Sequence, residues 1–220
     1  MNERILIWDV PTRVFHWLLA ATFAGSWLTG DSERWRDIHL LLGYSFAGLI
    51  AFRVVWGLVG TRYARFRSFL FRPREVLDYA RSLLSRSPRH YLGHNPLGSI
   101  VIFLMLGLGI VTAASGWAYY AEVGGEWLEE LHEGAAATML ALVFVHMAGV
   151  VVSSLLHREN LVRSMITGRK LGERTQGIRR GHALVGAALL VAVAAFAVWY
   201  PTTQPPAASH SASEHERGDG

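Results

Sequence analysis

Apolar residues in this chain are gathered into blocks. Five runs, residues 14–30, 38–59, 97–119, 131–156 and 182–200, approach or exceed the ~17–25 residues that span a bilayer. A soluble helical domain would place polar residues at every turn of its outer faces, and these runs do not. The pattern predicts an all-α polytopic membrane protein. The first four runs form a four-helix transmembrane bundle, residues 1–170, and the last is a fifth, C-terminal transmembrane helix within residues 171–200. Pro201 should break that helix, and the Pro-, Ser- and Ala-rich residues 201–220 should form a disordered tail. Two local starts are also legible. Asp9 ahead of Pro11 and Thr12 suits a helix N-terminus, and residues from Pro73 onward read as a short amphipathic helix on the membrane surface.

The polar stretches between the runs give an orientation. Residues 60–96 carry eight arginines against Glu75 and Asp78, and residues 157–181 carry six arginines and Lys170 against Glu159 and Glu173. Residues 120–130 hold Glu122, Glu126, Glu129 and Glu130 with no basic residue. Residues 31–37 hold three acids and two arginines. By the positive-inside rule the N-terminus and both basic connectors are cytoplasmic, and the C-terminus is periplasmic. The expected location is a bacterial inner membrane, with membrane lipid as a constant partner. The net charge of +4 therefore needs no nucleic-acid partner. No cleavable signal peptide is expected ahead of the first run. The chain has no cysteine, which excludes disulfides, iron–sulfur clusters and thioether-linked haem. Histidine is left as the obvious metal ligand.

The fourth run contains His132 and His146, fourteen positions apart. Fourteen steps of a helix come to about 1400°, about 40° short of four turns, so both imidazoles leave one face. They stand roughly 21 Å apart along the axis, against a bilayer core of ~30 Å. His16 opens the first run from the inner side and matches His146 in depth; His39 opens the second from the outer side and matches His132. Two pairs at two levels suit two bis-histidine b-type haems. A zinc site would need three or four ligands at one point, and a proton pathway would normally add carboxylates in mid-span. A proton-relay or metal role and a purely packing role remain as rival readings.

Further residues bear on that chemistry. Gly43, one turn after His39, and Gly48 would leave room for a flat ligand, whereas Gly107, Gly109 and Gly116 suit close helix packing. Arg53 is fourteen residues after His39 and so shares its face near the inner end, either snorkelling or paired with an anionic haem propionate. His94, in the turn before the third run, suits a quinone pocket, a propionate contact or a simple cap. His157 and His182 read as headgroup or helix-end residues, and His90, His210 and His215 carry no assigned role.

The chain resembles the prokaryotic cytochrome b-561 family, which includes b-type subunits of nickel–iron hydrogenases. The similar pieces are WDVPTRVFHW at 8–17, HLLLGY at 39–44, FRVVWG at 52–57, GHNPLG at 93–98, LHE at 131–133 leading to His146, and HRENLV with MITG at 157–168. The resemblance implies two haem b groups held by the pairs His16/His146 and His39/His132, in the pairing that depth suggests. It also implies electron exchange with the quinone pool at one haem and with a redox partner at the other. That partner is expected to be a c-type cytochrome for a free-standing carrier. The alternative is a membrane-anchoring subunit of a hydrogenase or dehydrogenase complex, with a non-haem transporter as the remaining rival. The fifth run lies outside the resemblance.

Overall fold

The computed structural model describes residues 3–85 and 88–203. In chain order the elements are β1 (Glu3–Leu6), α1 (Val10–Thr29), α2 (Arg36–Val59), α3 (Pro73–Ser82), α4 (Pro96–Tyr120), α5 (Trp127–Leu156), α6 (Leu161–Thr167), β2 (Arg169–Gly172) and α7 (Ala183–Thr203). Four segments, Glu33–Val59 with α2, then α4, α5 and α7, are long and apolar enough to cross a membrane. The chain is thus a multi-pass membrane protein. At 20 residues α1 has the length of a span, but Arg13, His16 and its Thr and Ser residues dilute its apolar character.

The long helices pack as antiparallel neighbours. Phe15 of α1 meets Phe52 of α2, Phe23 meets Phe46, and a side chain at Gly25 would strike Leu42, so rising numbers on α1 meet falling numbers on α2. The same reversal relates α2 to α7, through Tyr44 with Tyr200 and Trp56 with His182. Gly109 lets α4 lie against Phe46 and Ile50 of α2, where an added Cβ would sit 3.0 Å from the Ile50 side chain. Phe46, Ile50 and Met139 form the buried centre of the bundle. Outward faces keep large apolar side chains exposed, among them Leu28, Leu58, Leu155 and Leu184, as lipid contact requires. α5 packs closely along α4 but makes few close backbone approaches to α1 or α2. Space is left between them.

Three features depart from the sequence expectation. The N-terminal lead is not a simple tether: β1 pairs antiparallel with β2, Glu3 opposite Gly172 and Leu6 opposite Arg169, so a small sheet joins an otherwise helical fold. The clasp is extended by the Gly168 carbonyl, which accepts from the Ile7 and Trp8 amides, and by the Leu6 carbonyl, which accepts from Ile178. Gly168 ends α6 in the left-handed region at φ 78°, and any Cβ there would lie 2.6 Å from the Trp8 carbonyl oxygen. Second, α7 runs through Pro201 to Thr203. Proline in the last turn forfeits one hydrogen bond without stopping the helix, so its break point was misplaced. Third, α1 and α5 begin four residues earlier than their apolar runs, at Val10 and Trp127, because capping and turn residues fold into the first turn. Of the expected tail, residues 204–220 lie outside the described residues.

The two predicted local starts are both present. The Asp9 side chain accepts from the Thr12 amide at 2.8 Å as the N-cap of α1. Its carboxylate, buried, also accepts from the Trp56 indole at 3.1 Å and the Thr61 hydroxyl at 2.6 Å, tying the start of α1 to the end of α2. α3 begins at Pro73 and buries Tyr79.

Candidate functional site

The four histidines meet in two pairs. The rings of His16 (α1) and His146 (α5) have centroids 6.4 Å apart, and those of His39 (α2) and His132 (α5) are 6.1 Å apart. Each pair bridges the space that α5 leaves towards the α1–α2 hairpin. In the outer pair both rings are oriented by the backbone. His39 Nδ1 lies 2.9 Å from the Ser26 carbonyl oxygen, and His132 Nδ1 lies 2.8 Å from that of Thr112. A carbonyl only accepts, so each Nδ1 carries the proton and each Nε2 keeps its lone pair for a ligand. Gly116 makes room for this arrangement, since a Cβ there would approach His132 Nδ1 to 2.6 Å. In the inner pair His16 is held edge-on to Trp17, with centroids 5.1 Å apart, and its Nδ1 is buried without a hydrogen-bond partner.

Two further candidates gather near the inner pair. Arg53 is buried; its guanidinium lies over Phe66 at 4.7 Å and 5.8 Å from the Phe69 ring, and Nη1 has no hydrogen-bond partner. Snorkelling to headgroups is therefore not what Arg53 does. The His94 ring lies 4.8 Å from Trp8 and 4.4 Å from the same Phe69, and its Nδ1 is also buried and unpartnered. Burial, then the positive charges of Arg53 and Lys170 and the nearby imidazoles, push His94 down to about 3, so it stands neutral. Asn95 rather than His94 caps α4, accepting from the Gly98 amide at 2.7 Å. The cap reading of His94 fails.

Sequence reasoning missed a polar cluster behind this corner. Glu159 Oε2 accepts from Lys170 Nζ and His90 Nε2, each at 3.1 Å, and the His90 ring packs on His157 at 5.1 Å. Although burial opposes it, these donors hold the Glu159 carboxyl below the usual carboxylate range. Lys170 is only 5% exposed while its neighbour Leu171 is 61% exposed, the reverse of what hydropathy would assign to a strand. His157, the C-cap of α5, and His182, just before α7, both sit at helix ends as expected, the His182 ring edge against Trp56 at 5.6 Å. Glu133 lies near the N-terminal end of α5, and the acidic connector 120–130 runs into that end.

Among the described residues, no group of three or more His, Asp or Glu side chains converges as a bare metal ion would need. The donors come instead as facing pairs across an open space, and helical glycines border it. A Cβ at Gly43 or Gly149 would meet nothing within 4 Å. Gly48 is equally open but lines the groove between α2 and α7, on the face of α2 opposite His39, so it leaves no room beside the histidines, contrary to the sequence expectation. Gly43 is one turn from His39, and Gly149 is three residues from His146. Gly107 is also open, so of Gly107, Gly109 and Gly116 only the last two serve close packing.

Paired imidazoles within a bundle of membrane helices define a class: multi-pass proteins built to hold flat metal cofactors between helices. The prokaryotic cytochrome b561 family matches residues 7–168, and the chain belongs to that family of membrane b-type haem proteins for electron transport. Among its relatives is the probable Ni/Fe-hydrogenase B-type cytochrome subunit of Rhizobium leguminosarum bv. viciae, 28% identical over 77% of this chain and 90% of that protein. The protein of the same description from Rhodobacter capsulatus is 24% identical over 76% and 81%, respectively. The probable Ni/Fe-hydrogenase 1 B-type cytochrome subunit of Escherichia coli K12 is 25% identical over 53% and 60%. No solved structure matches. The family match ends before α7.

The residues present fit the haem that the family implies. With a metal–nitrogen bond of about 2 Å and about 1 Å from nitrogen to ring centroid, two imidazoles on opposite sides of one iron have centroids roughly 6 Å apart. Both pairs have that separation. Arg53 Nη1 supplies an unmatched buried donor of the kind an anionic propionate satisfies.

Proposed function

We propose that this chain is a di-haem b-type cytochrome of a bacterial inner membrane, serving as the membrane subunit of a hydrogenase or related dehydrogenase complex. The observation that carries the reading is the pair of histidine pairs, 6.4 and 6.1 Å between centroids, at two depths of α5. The descriptions of the hydrogenase relatives favour the subunit role over a free-standing carrier that serves a c-type cytochrome. In either role the inner end would exchange electrons with the quinone pool. α1, packed antiparallel along α2, completes the four-helix cofactor bundle, with α7 as the additional span. The N-terminus lies on the cytoplasmic side with the basic connectors, and the C-terminus on the periplasmic side.

Haem bound at each level would supply a one-electron iron couple buried in a low-dielectric interior. The protein's part is to hold and tune. His16 with His146 would hold the inner group, and His39 with His132 the outer one. The Ser26 and Thr112 carbonyls fix the outer rings and raise their basicity. Arg53 would neutralise a propionate of the inner group, and neutral His94 would accept or donate a hydrogen bond there, to a propionate or to quinone.

Reduced-minus-oxidised spectra of the purified protein and of two single variants test this. The wild type should show b-type α bands at two haems per chain. His132→Ala should lose the outer haem and His146→Ala the inner one, each halving the haem content. Absence of b-type bands, or loss of both haems from either single change in a folded protein, would end the reading. Co-purification with a hydrogenase or dehydrogenase subunit, against electron exchange with a c-type cytochrome, separates the two roles.

A further inference from the structure

A basic cavity of about 410 Å³ opens where α2 ends and α7 begins. Thr61 and Arg62 line it from one side and Arg179, Arg180 and His182 from the other, with no acidic residue in its wall. Its size lies within the roughly 300–1,000 Å³ of small-molecule sites. Among the described residues the ion pairs join Glu159 to His90 and Lys170, and Glu3 to Arg174, so none of the three cavity arginines has an acidic partner. Three guanidinium groups from segments far apart in sequence present a positive charge that the protein does not balance.

We infer that this cavity binds the phosphate of an anionic phospholipid headgroup from the cytoplasmic leaflet. Guanidinium forks match phosphate oxygens two bonds at a time. The site lies at the end of two membrane-spanning helices, on the basic side, where anionic headgroups are concentrated. Just membraneward of it, Leu58 and Val59 of α2 and Leu184 of α7 are 67%, 69% and 88% exposed. A free anion gains nothing from those side chains, whereas an acyl chain covers them. The headgroup would also bear on His182, whose ring edge rests on Trp56, the indole that donates to Asp9. The inference rests on the membrane-spanning reading and is independent of the haem assignment.

Native mass spectrometry of the full-length, haem-loaded protein, titrated with phosphatidylglycerol or phosphatidylcholine, provides the test. The wild type should retain phosphatidylglycerol selectively. At roughly fivefold per basic residue near a membrane surface, Arg179→Gln with Arg180→Gln should weaken retention about 25-fold and Arg62→Gln alone about fivefold. The haem spectrum should be unchanged in both. A control, Arg67→Gln with Arg74→Gln, removes equal charge elsewhere on the same side and should leave retention intact. Equal loss in the control means diffuse surface attraction and overturns the site. Unchanged retention in the cavity variants overturns it as well, as does displacement of phosphatidylglycerol by inorganic phosphate.

Discussion

Arg53 concentrates the electrostatics of the inner site in one side chain. A guanidinium this buried, with one nitrogen unsatisfied and two aromatic faces for neighbours, is costly unless an anion completes its shell. On the proposed function, Arg53→Gln should lower the midpoint potential of one haem, because removing a positive charge favours the ferric state. A shift of roughly 50 mV is expected, a tenfold change being about 59 mV for one electron. Potentiometric titration reads it, and the outer haem should hold its potential. Asp9 is a comparable concentration of structure. Asp9→Ala removes a helix cap and the acceptor for Trp56 and Thr61, with an expected loss of roughly 2–4 kcal/mol. Thermal unfolding in detergent should show the fall. The four histidines were legible in the sequence because a helix converts spacing into direction. The Asp9 links to Trp56 and Thr61 were not, since nothing local says which residues forty or fifty positions on will fold back onto a cap.

At the level of elements, the helices were readable and the clasp was not. Apolar runs of this length admit only helices in a membrane. β1 and β2 are four residues each, and the hydropathy of β2 is inverted, with Lys170 turned inward to Glu159 and Leu171 outward. Two strands too short to carry a pattern, joined across most of the chain, leave no signal in either one alone. The Glu159 cluster makes the clasp sensitive to acid. A carboxyl held below its ordinary value stabilises the fold above the unfolded pKa, and that contribution is lost as pH falls through the folded one. Hydrogen exchange at the β1 and β2 amides, corrected for intrinsic rate, should therefore quicken as pH drops below about 4, the usual carboxylate range. Glu159→Gln should loosen the clasp already at neutral pH, since Lys170 is then buried without its counter-charge.

For the whole molecule, the absence of cysteine makes orientation directly measurable. Single substitutions Arg67→Cys and Glu122→Cys should label with an impermeant maleimide from opposite sides of sealed vesicles, Arg67→Cys from the cytoplasmic face. Labelling of both from one face would overturn the assigned topology. Family membership accounts for residues 7–168, while α7 is covered by none of the matched region and packs on the α1–α2 side.

The β1–β2 pairing also sets an order of events. The first strand is made before α1, but its partner follows α6, after every histidine of the two pairs has been made. Until then nothing fastens the start of α1 to the end of the bundle, and the hairpins can stand apart. The clasp therefore cannot close before residue 172 is made, a non-local contact formed late by connectivity alone, with only α7 still to follow. On the proposed function, a bulky planar guest would enter most easily before that moment, and haem added to the fully synthesised protein should load more slowly than haem present during synthesis.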